Sequence, residues 1–289
     1  MTLSPIDGHT RLVGLIGWPV AHSLSPAMHN GAFDALGLNY RYVPLPVEPG
    51  RVGAAVRGLA ALGFRGANVT APHKQAVIPH LDEITDTAQA IGAVNTIFVQ
   101  NKRLVGHNTD GDGFLAALQE MGFQPAGKWT LVLGAGGAAR AVVHALAQAS
   151  CTVAIHNRTV QRAAKLAHDM QHIGVRAPVT WVPMTTQLTD LDLNRFDLLV
   201  NATPVGMWPH DDDSPWPKNL PFPPHWTVCD LVYNPPETRF LRRARKSGAH
   251  PIGGLEMLVQ QGALAFEMWT GEEAPADVMR AACKRTLRR

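Results

Sequence analysis

The chain has 289 residues, which is longer than a single hydrophobic core usually supports, so two domains are expected. Its composition, 46% hydrophobic and 17% charged, excludes a disordered or fibrous protein. The formal net charge is only +3, and the basic clusters at 242–246 and 284–289 are better explained as solvated helix faces than as a nucleic-acid site. We therefore expect a small anionic ligand and no nucleic-acid partner.

The cysteines and the apolar stretch near the N-terminus indicate in which compartment the protein works. Cys151, Cys229 and Cys283 are odd in number and widely spaced, which argues against disulfides and against a cysteine-rich metal site. The apolar stretch 12–20 is too short to span a bilayer, contains Pro19 and is not followed by a cleavage pattern. These features predict a cytoplasmic protein with no membrane association.

Strand-like and helix-like patterns alternate over the first hundred residues, which predicts an α/β fold. Ser25 at the N-cap, Pro26 in the first turn and Gly37 after the last turn are typical of a helix. Asn101 and Lys102 predict a hairpin turn. The predicted elements of this part are strands at 11–17, 40–43, 67–70 and 94–99, the helix opened by Ser25, a helix ending near Leu62 and a short helix starting near His73.

The alternation restarts after Asp110 and continues as a run of strand-helix units, which predicts a parallel sheet. Between Thr203 and Trp226 the chain is rich in proline and carries an acidic triplet at 211–213, which predicts a surface loop that is free to move. The predicted elements of this part are helices at 112–121, 162–170 and 255–269, a helix ending at Ser150, and strands at 130–133, 152–155, 197–200 and 228–232.

A glycine-rich segment joins one of these strands to the next helix. It has the G-x-G-x-x-A spacing, in which glycines let the backbone turn tightly and approach a pyrophosphate at the free N–H groups of the helix start. The alternative is a tight turn with no ligand. The segment consists of Gly134, Ala135, Gly136, Gly137, Ala138 and Ala139.

The end of the following strand indicates which dinucleotide binds. An NAD enzyme normally carries an acid there, which accepts hydrogen bonds from the ribose 2'-hydroxyl. This chain instead reads Asn157, Arg158, Thr159, with Arg162 one helical turn later. Guanidinium groups bind a 2'-phosphate that a carboxylate would repel, so we expect NADP. Two solvated arginines at a helix start are the alternative.

Reduction of a carbonyl by hydride transfer also needs a proton donor. No Tyr-x-x-x-Lys pair occurs, and His168 with His172 has the spacing of a zinc site but lacks an evident third ligand, so no metal is expected. Lys74 follows a predicted strand end, where open α/β folds bind ligands. It is a candidate if Asp110 is its partner. Otherwise Lys74 is a surface lysine and Asp110 an N-cap.

Several segments, in this order and at this spacing, resemble the shikimate dehydrogenase family along nearly the whole chain. The resemblance implies an α/β fold of two domains with the active site in the cleft between them. A substrate-binding domain, 1–110, is completed by the C-terminal helices at 254–289, and a Rossmann-type NADP-binding domain spans 111–253. The matching segments are 23–26, 68–74, 92–96, 108–111, the glycine-rich segment, 157–159, 201–203, 233–235 and 254–261.

The resemblance implies NADPH-dependent, reversible reduction of 3-dehydroshikimate to shikimate, on the route to chorismate and the aromatic amino acids. Lys74 would be the acid/base, and Asp110 would pair with it and hold a substrate hydroxyl. The other implied substrate residues are Ser23, Ser25 and Tyr233 for the carboxylate and Asn68, Thr70, Asn95 and Gln261 for ring hydroxyls. The implied cofactor residues are Gly134, Ala135, Gly136, Gly137, Ala138, Asn157, Arg158, Thr159, Arg162 and Thr203, with Leu231 and Gly254 beside the nicotinamide.

Two alternatives remain. A quinate/shikimate dehydrogenase often has threonine in place of the second serine and an acid in place of Arg158, so Ser25 and Arg158 favour shikimate with NADP. A non-catalytic NADP-binding sensor on the same fold would be marked by loss of Lys74 or Asp110, and both are present. The expected assembly is a monomer or homodimer. His107 and the loop 208–226 receive no role.

Overall fold

The computed structural model describes residues 6–183 and 188–287, so Arg288 and Arg289 of the basic C-terminal cluster lie outside the described residues. The chain divides into two compact units: Met1–Gly113 with Val259–Arg289, and Phe114–Leu258. Within the described residues each unit contains a six-stranded sheet. The two domains expected from the sequence, 1–110 with 254–289 and 111–253, remain a prediction.

The first unit has a mixed sheet with the strand order β2-β1-β3-β5-β6-β4, in which β5 runs antiparallel to both of its neighbours. Central β1 is apolar on both faces, as its buried Val13, Leu15 and Ile16 show. Asn101 and Lys102 have φ of 51° and 65°, which confirms the hairpin turn between β5 and β6. The elements are β1 (Arg11–Gly17), α1 (Ser25–Ala35), β2 (Tyr40–Pro46), α2 (Val52–Ala61), β3 (Gly66–Val69), β4 (Glu83–Ile84), α3 (Asp86–Ile91), β5 (Thr96–Gln100), β6 (Arg103–His107) and α4 (Asp110–Glu120).

The second unit has the strand order β12-β11-β10-β7-β8-β9, and all of its strands are parallel. This confirms the predicted parallel sheet and gives the Rossmann order, with the reversal of strand order between β7 and β10. Ligands of such sheets bind at the carboxyl ends of the strands beside that reversal. The elements of this unit are β7 (Trp129–Leu133), α5 (Gly137–Gln148), β8 (Thr152–His156), α6 (Val160–His172), β9 (Val179–Trp181), β10 (Leu198–Asn201), β11 (Thr227–Asp230), α7 (Arg239–Lys246) and β12 (His250–Ile252). They are followed by α8 (Gly254–Thr270) and α9 (Ala276–Leu287).

The C-terminal helices return the chain to the first unit. Helix α8 begins in the second unit and belongs to the first from Val259 onward. Helix α9 packs against α1, where a Cβ on Gly31 would lie 3.2 Å from the Ala282 Cβ. Among the described helices, none is both long and apolar enough to cross a membrane.

Three local predictions are wrong in detail. Helix α1 has Leu24 at its N-cap, so Ser25 is its first helical residue. The short helix predicted to start near His73 is instead a series of turns that ends in a 3₁₀ helix, Ile78–His80, and the Lys74 carbonyl accepts a hydrogen bond from the Val94 amide (2.7 Å). Helix α4 begins at Asp110, two residues earlier than predicted, because the Asn108 side chain accepts the Asp110 amide (3.0 Å).

The proline-rich segment between Thr203 and Trp226 contains no helix or strand and is exposed over 208–213, which confirms the predicted surface loop, but part of it is anchored to the second unit. Trp216 and Phe222 are buried in the core of the second unit. The Arg243 guanidinium donates to the carbonyl oxygens of Trp216 (2.9 Å) and Pro217 (2.8 Å). The two buried aromatic side chains and the Arg243 hydrogen bonds hold part of the segment against the unit. The proline-rich and acidic composition of the segment did not indicate this anchoring.

Candidate active site

Lys74 and Asp110 come together, although 36 residues separate them. Lys74 lies on the turn after β3, and Asp110 is the first residue of α4, directly after β6. The Lys74 Nζ lies 2.5 Å from Asp110 Oδ2, and the two side chains are only 16% and 5% exposed. Asp110 therefore pairs with Lys74 instead of capping its helix, and Lys74 is not a solvated surface lysine.

Asn95 orients the Asp110 carboxylate. The Asn95 Nδ2 donates to Asp110 Oδ1 (2.8 Å), so each carboxylate oxygen faces a donor. The Thr109 amide donates to Asn95 Oδ1 (2.8 Å), which fixes which end of the Asn95 side chain points at Asp110. The carboxylate is held in one orientation before any ligand arrives.

Gln261 reaches the same cluster from α8. Its Oε1 accepts from Asn95 Nδ2 (3.2 Å), and its backbone carbonyl accepts from the Thr109 hydroxyl (3.0 Å). A Cβ on Gly113 would lie 2.6 Å from the Gln261 amide nitrogen, so α8 approaches α4 at a position that has no side chain. Sequence reasoning missed Thr109 and Gly113, and the glycine inside a predicted helix was the available signal.

Asn68, the third residue of β3, lies next to this cluster. Its Nδ2 donates to the Asn95 carbonyl (3.3 Å) and to Thr96 Oγ1 (3.2 Å), and its Oδ1 accepts from the Tyr42 hydroxyl (2.9 Å). Tyr42 and Thr96 were not singled out in the sequence. The contacts join Asn68, Asn95, Asp110 and Gln261 into one buried polar network in the first unit.

Ser23 and Ser25 lie where the loop after β1 enters α1, and Thr70 directly follows the neighbouring strand β3. The Ser25 amide donates to Ser23 Oγ (3.2 Å), at the start of α1, where free helix N–H groups attract anions. The loop after β1 meets the turn after β3: the Trp18 amide donates to the Ala71 carbonyl (3.0 Å). A Cβ on Gly17 would lie 2.3 Å from Thr70 Cγ2, so that glycine permits the approach. Tyr233 belongs to the second unit and follows β11.

Two histidines of the first unit have depressed pKa values. His29 is completely buried, stacks on Tyr42 with ring centroids 4.5 Å apart, and both its ring nitrogens lack a hydrogen-bond partner. Burial lowers the pKa of His29 to about 3, and the nearby Asn68 side chain only partly opposes this. Burial also lowers the pKa of His107, whose Nδ1 lies 2.8 Å from the Thr85 hydroxyl. Burial thus favours the neutral form of both imidazoles.

The glycine-rich segment fits a pyrophosphate. Gly134 has φ of +113°, and a Cβ there would lie 3.0 Å from Thr203 Cγ2, so both its conformation and its packing require glycine. Gly136, the N-cap of α5, has an ordinary φ of −89°, and a Cβ there would meet nothing within 4 Å. The packing of this chain does not require glycine at 136, whereas close approach of a ligand does. Ala135 precedes the N-cap, and Gly137 and Ala138 are the first two residues of α5.

Arg158 and Arg162 flank the start of α6, beyond the carboxyl end of β8. Both side chains are exposed, and in the described part of the chain neither forms an ion pair. The Asn157 Nδ2 donates to the Thr159 carbonyl (2.8 Å), which shapes the turn that carries Arg158. The two guanidinium groups are therefore available to a phosphate at the strand end where NAD enzymes carry an acid.

Thr203, Leu231 and Gly254 lie at the carboxyl ends of β10, β11 and β12. A Cβ on Gly254 would lie 2.4 Å from the Leu231 carbonyl oxygen, so this residue must be glycine. His168 and His172, in contrast, are exposed on α6 with ring centroids 6.0 Å apart. The described residues contain no group of three or more His, Cys, Asp or Glu placed to hold a metal ion.

Comparison with known proteins identifies the family. Residues 15–97 match the shikimate dehydrogenase substrate binding domain, 116–204 match shikimate/quinate 5-dehydrogenase and 254–284 match the shikimate 5'-dehydrogenase C-terminal domain. The shikimate dehydrogenase (NADP(+)) of Moorella thermoacetica is 51% identical over 95% of this chain and 92% of its own length.

Solved structures give the same result. A shikimate dehydrogenase in complex with NADP+ has a TM-score of 0.90 at 42% identity and covers 98% of each chain. The Thermus thermophilus enzyme, in complex with NADP(H) and shikimate, has a TM-score of 0.84 at 43% identity, covering 95% of this chain and 99% of its own. The chain therefore belongs to the shikimate dehydrogenase family.

Proposed function

We propose that the chain catalyses the reversible, NADPH-dependent reduction of 3-dehydroshikimate to shikimate, on the route to chorismate and the aromatic amino acids. Family membership supports this, since relatives of this similarity are named as NADP-dependent shikimate dehydrogenases. The observation that carries the proposal is the buried pair of Lys74 and Asp110, 2.5 Å apart and oriented by Asn95. A non-catalytic sensor has no need of a preorganised proton donor.

In the proposed mechanism Lys74 Nζ gives a proton to the carbonyl oxygen of the substrate as that oxygen becomes a hydroxyl, and takes it back in the reverse direction. Asp110 accepts a hydrogen bond from Nζ, which holds the Lys74 side chain in one orientation. Bound NADPH supplies the hydride. Because both side chains are largely buried, little water competes with the substrate for this proton.

We assign the substrate carboxylate to the hydroxyls of Ser23 and Ser25 at the start of α1, with help from Tyr233. A polar site of this kind rejects analogues that lack a hydroxyl, because buried donors and acceptors are then left unpaired. Asp110 holds one ring hydroxyl as well as Lys74. The other side chains proposed to bind ring hydroxyls are Asn68, Thr70, Asn95 and Gln261.

We assign the pyrophosphate of NADP to the α5 start and its 2'-phosphate to Arg158 and Arg162, which present unpaired guanidinium groups. Thr203, Leu231 and Gly254, on the other side of β7, would hold the nicotinamide. The remaining residues proposed for the cofactor are Gly134, Ala135, Gly136, Gly137, Ala138, Asn157 and Thr159. We also propose that the enzyme works in the cytoplasm as a monomer or homodimer, and the three free cysteines suit a reducing compartment.

Replacement of Lys74 tests the proposal. Lys74→Ala should lower kcat for shikimate oxidation by about 100-fold or more, the usual scale for loss of a general acid/base, with a smaller change in KM. Lys284→Ala, which removes an exposed lysine on α9 of the same unit, should leave both constants unchanged. Near-normal turnover of Lys74→Ala would remove this lysine from the mechanism.

A further inference from the structure

Asp230, the last residue of β11, is completely buried. A buried acid is costly unless its oxygens are well hydrogen-bonded, so its partners show what it does. Burial raises the pKa of this carboxyl to about 6, which leaves it ionised at neutral pH. No substrate or cofactor role proposed above involves it.

Three donors converge on the Asp230 carboxylate. Asn201 Nδ2 (2.8 Å) and the Val232 amide (3.0 Å) donate to Oδ1, and the Thr238 hydroxyl donates to Oδ2 (2.6 Å). These donors come from the end of β10, from the segment after β11 and from the N-cap of α7. The Asp230 carboxylate therefore holds three chain segments in place at the carboxyl edge of the sheet: the end of β10, the segment after β11 and the start of α7.

The contact with Asn201 is relayed to Thr203. Because Asn201 Nδ2 faces the carboxylate, its Oδ1 faces away and accepts from the Thr203 amide (3.0 Å) and hydroxyl (2.7 Å). Thr203 in turn abuts Gly134, the first glycine of the cofactor segment. Asp230 and the Val205 carbonyl, which accepts from the same Nδ2 at 3.2 Å, together orient the Asn201 amide, and that orientation holds Thr203.

The backbone at Asp230 supports the other residues proposed for the nicotinamide. Leu231 follows it directly, and the bond to Val232 fixes the turn in which Leu231 lies. A Cβ on Gly254 would lie 2.9 Å from the Asp230 carbonyl oxygen as well as 2.4 Å from that of Leu231. Arg158, by contrast, follows β8, three strands away from β11 in the sheet.

We propose that Asp230 is a positioning residue for the nicotinamide half of the cofactor site, acting through Asn201 and the β11 turn on Thr203, Leu231 and Gly254. The proposal rests on the proposed function, which places the nicotinamide at those residues. The proposed cofactor site then has two halves. Asp230 positions the residues of the nicotinamide half, and Arg158 binds the 2'-phosphate in the adenosine half.

Asp230→Asn tests this, because the amide keeps the shape but turns one of the two carboxylate oxygens into a donor, which then faces either the Asn201 and Val232 donors or the Thr238 hydroxyl. We expect kcat/KM for NADPH to fall on the order of 10-fold or more, the scale of a small misplacement of reacting groups. The Kd of 2',5'-ADP, which lacks the nicotinamide, should stay within about twofold, since its binding groups are untouched.

Asp197→Asn is the matched control. Asp197 also accepts a backbone amide, that of Trp129 (2.9 Å), and a side-chain donor, Lys128 (3.0 Å), but at the amino ends of β7 and β10. Its replacement should change neither kcat/KM for NADPH nor the Kd of 2',5'-ADP. If Asp230→Asn fails to fold, Thr238→Val removes one donor and should show a smaller loss in the same direction, which Thr238→Ser restores.

Two results would overturn the proposal: unchanged kcat/KM for NADPH in Asp230→Asn, or equal losses for NADPH and 2',5'-ADP, which would mark a general disruption of the unit. Calorimetric binding of NADPH and 2',5'-ADP to the wild type and to Asp230→Asn needs no turnover. The same split in the two Kd values would therefore support the inference even if the wild-type protein failed to oxidise shikimate, in which case only the proposed function would fail.

Discussion

At the scale of single residues, we propose that the choice of cofactor depends on charge at the end of β8. Arg158→Ala removes one of the two exposed guanidinium groups there. We expect kcat/KM for NADPH to fall about 10- to 100-fold, the scale of a lost charge-assisted hydrogen bond, and that for NADH to change little. Steady-state kinetics with both cofactors gives the comparison. Arg176→Ala, at another exposed arginine of the unit, is the control, and equal losses with both cofactors would show that Arg158 does not read the 2'-phosphate.

His29 makes the stability of the first unit depend on pH. Its pKa is lowered to about 3 in the folded chain, so between about pH 3 and 6.5 the unfolded chain binds more protons than the folded one. The contribution of the neutral His29 side chain to the free energy of unfolding is complete above pH 6.5 and is lost as the pH falls. Between pH 7 and 4.5 the loss is about 3 kcal/mol, at about 1.4 kcal/mol per pH unit.

His29→Phe tests this in urea unfolding at pH 7 and 4.5. Phenylalanine suits the surrounding rings of Phe33, Tyr42 and Phe266 and does not titrate. The difference in unfolding free energy between variant and wild type should move by about 3 kcal/mol in favour of the variant at the lower pH. His168→Gln, at an exposed histidine, should show no such change. A pH-independent difference for His29→Phe would mean that His29 protonates freely in the fold.

The site residues differ in how visible they are in the sequence. Lys74, Asp110 and Arg158 carry charges that stand out at strand ends, and the sequence alone proposed their chemistry. Thr109 and Tyr42 are ordinary in any local window, since their roles depend on partners 152 and 26 residues away, Gln261 and Asn68. Short-range patterns contain no information on such pairings, which arise only when the sheet and α8 are assembled.

At the scale of elements, one glycine controls the approach of two helices. Gly113→Ala would place a Cβ 2.6 Å from the backbone of Gln261, so α4 and α8 must separate. We expect a loss of about 1–3 kcal/mol of unfolding free energy, the cost of overpacking, and a higher KM for shikimate because Gln261 moves. Urea unfolding and steady-state kinetics measure the two effects.

Gly58→Ala in α2 is the matched control for that substitution. A Cβ there would meet nothing within 4 Å, so alanine should stabilise the helix by about 0.4–1 kcal/mol and leave KM unchanged. If both alanine variants behave alike, the close approach of α4 and α8 does not depend on Gly113.

Elements were predictable where their own sequence is long enough to show a period. Strands β1, β7, β8 and β10 are apolar runs bounded by turns, and α8 repeats its apolar positions over 17 residues. Strands β4, β9 and β12 have two or three residues each and form only because β6, β8 and β11 offer an edge. Helix α3 has six residues and was missed for the same reason: its stability comes from its surroundings.

At the scale of the whole molecule, the chain crosses between its two units after Gly113 and again after Leu258. The second unit is continuous in sequence, so its run of strand-helix units was readable as a parallel sheet. The first unit is discontinuous, and its completion by the C-terminal helices was indicated by family resemblance alone. Periodicity describes neighbours in sequence and cannot reveal that the chain returns.

The central claim is that this chain oxidises shikimate with NADP+. Steady-state rates of the purified protein with shikimate or quinate, each with NADP+ or NAD+, test it most directly. We expect kcat/KM to be highest for shikimate with NADP+, and about 10-fold or more above the value with NAD+, because Arg158 and Arg162 favour the 2'-phosphate. Higher specificity for quinate with NAD+, or no turnover with any of the four pairs, would contradict the account.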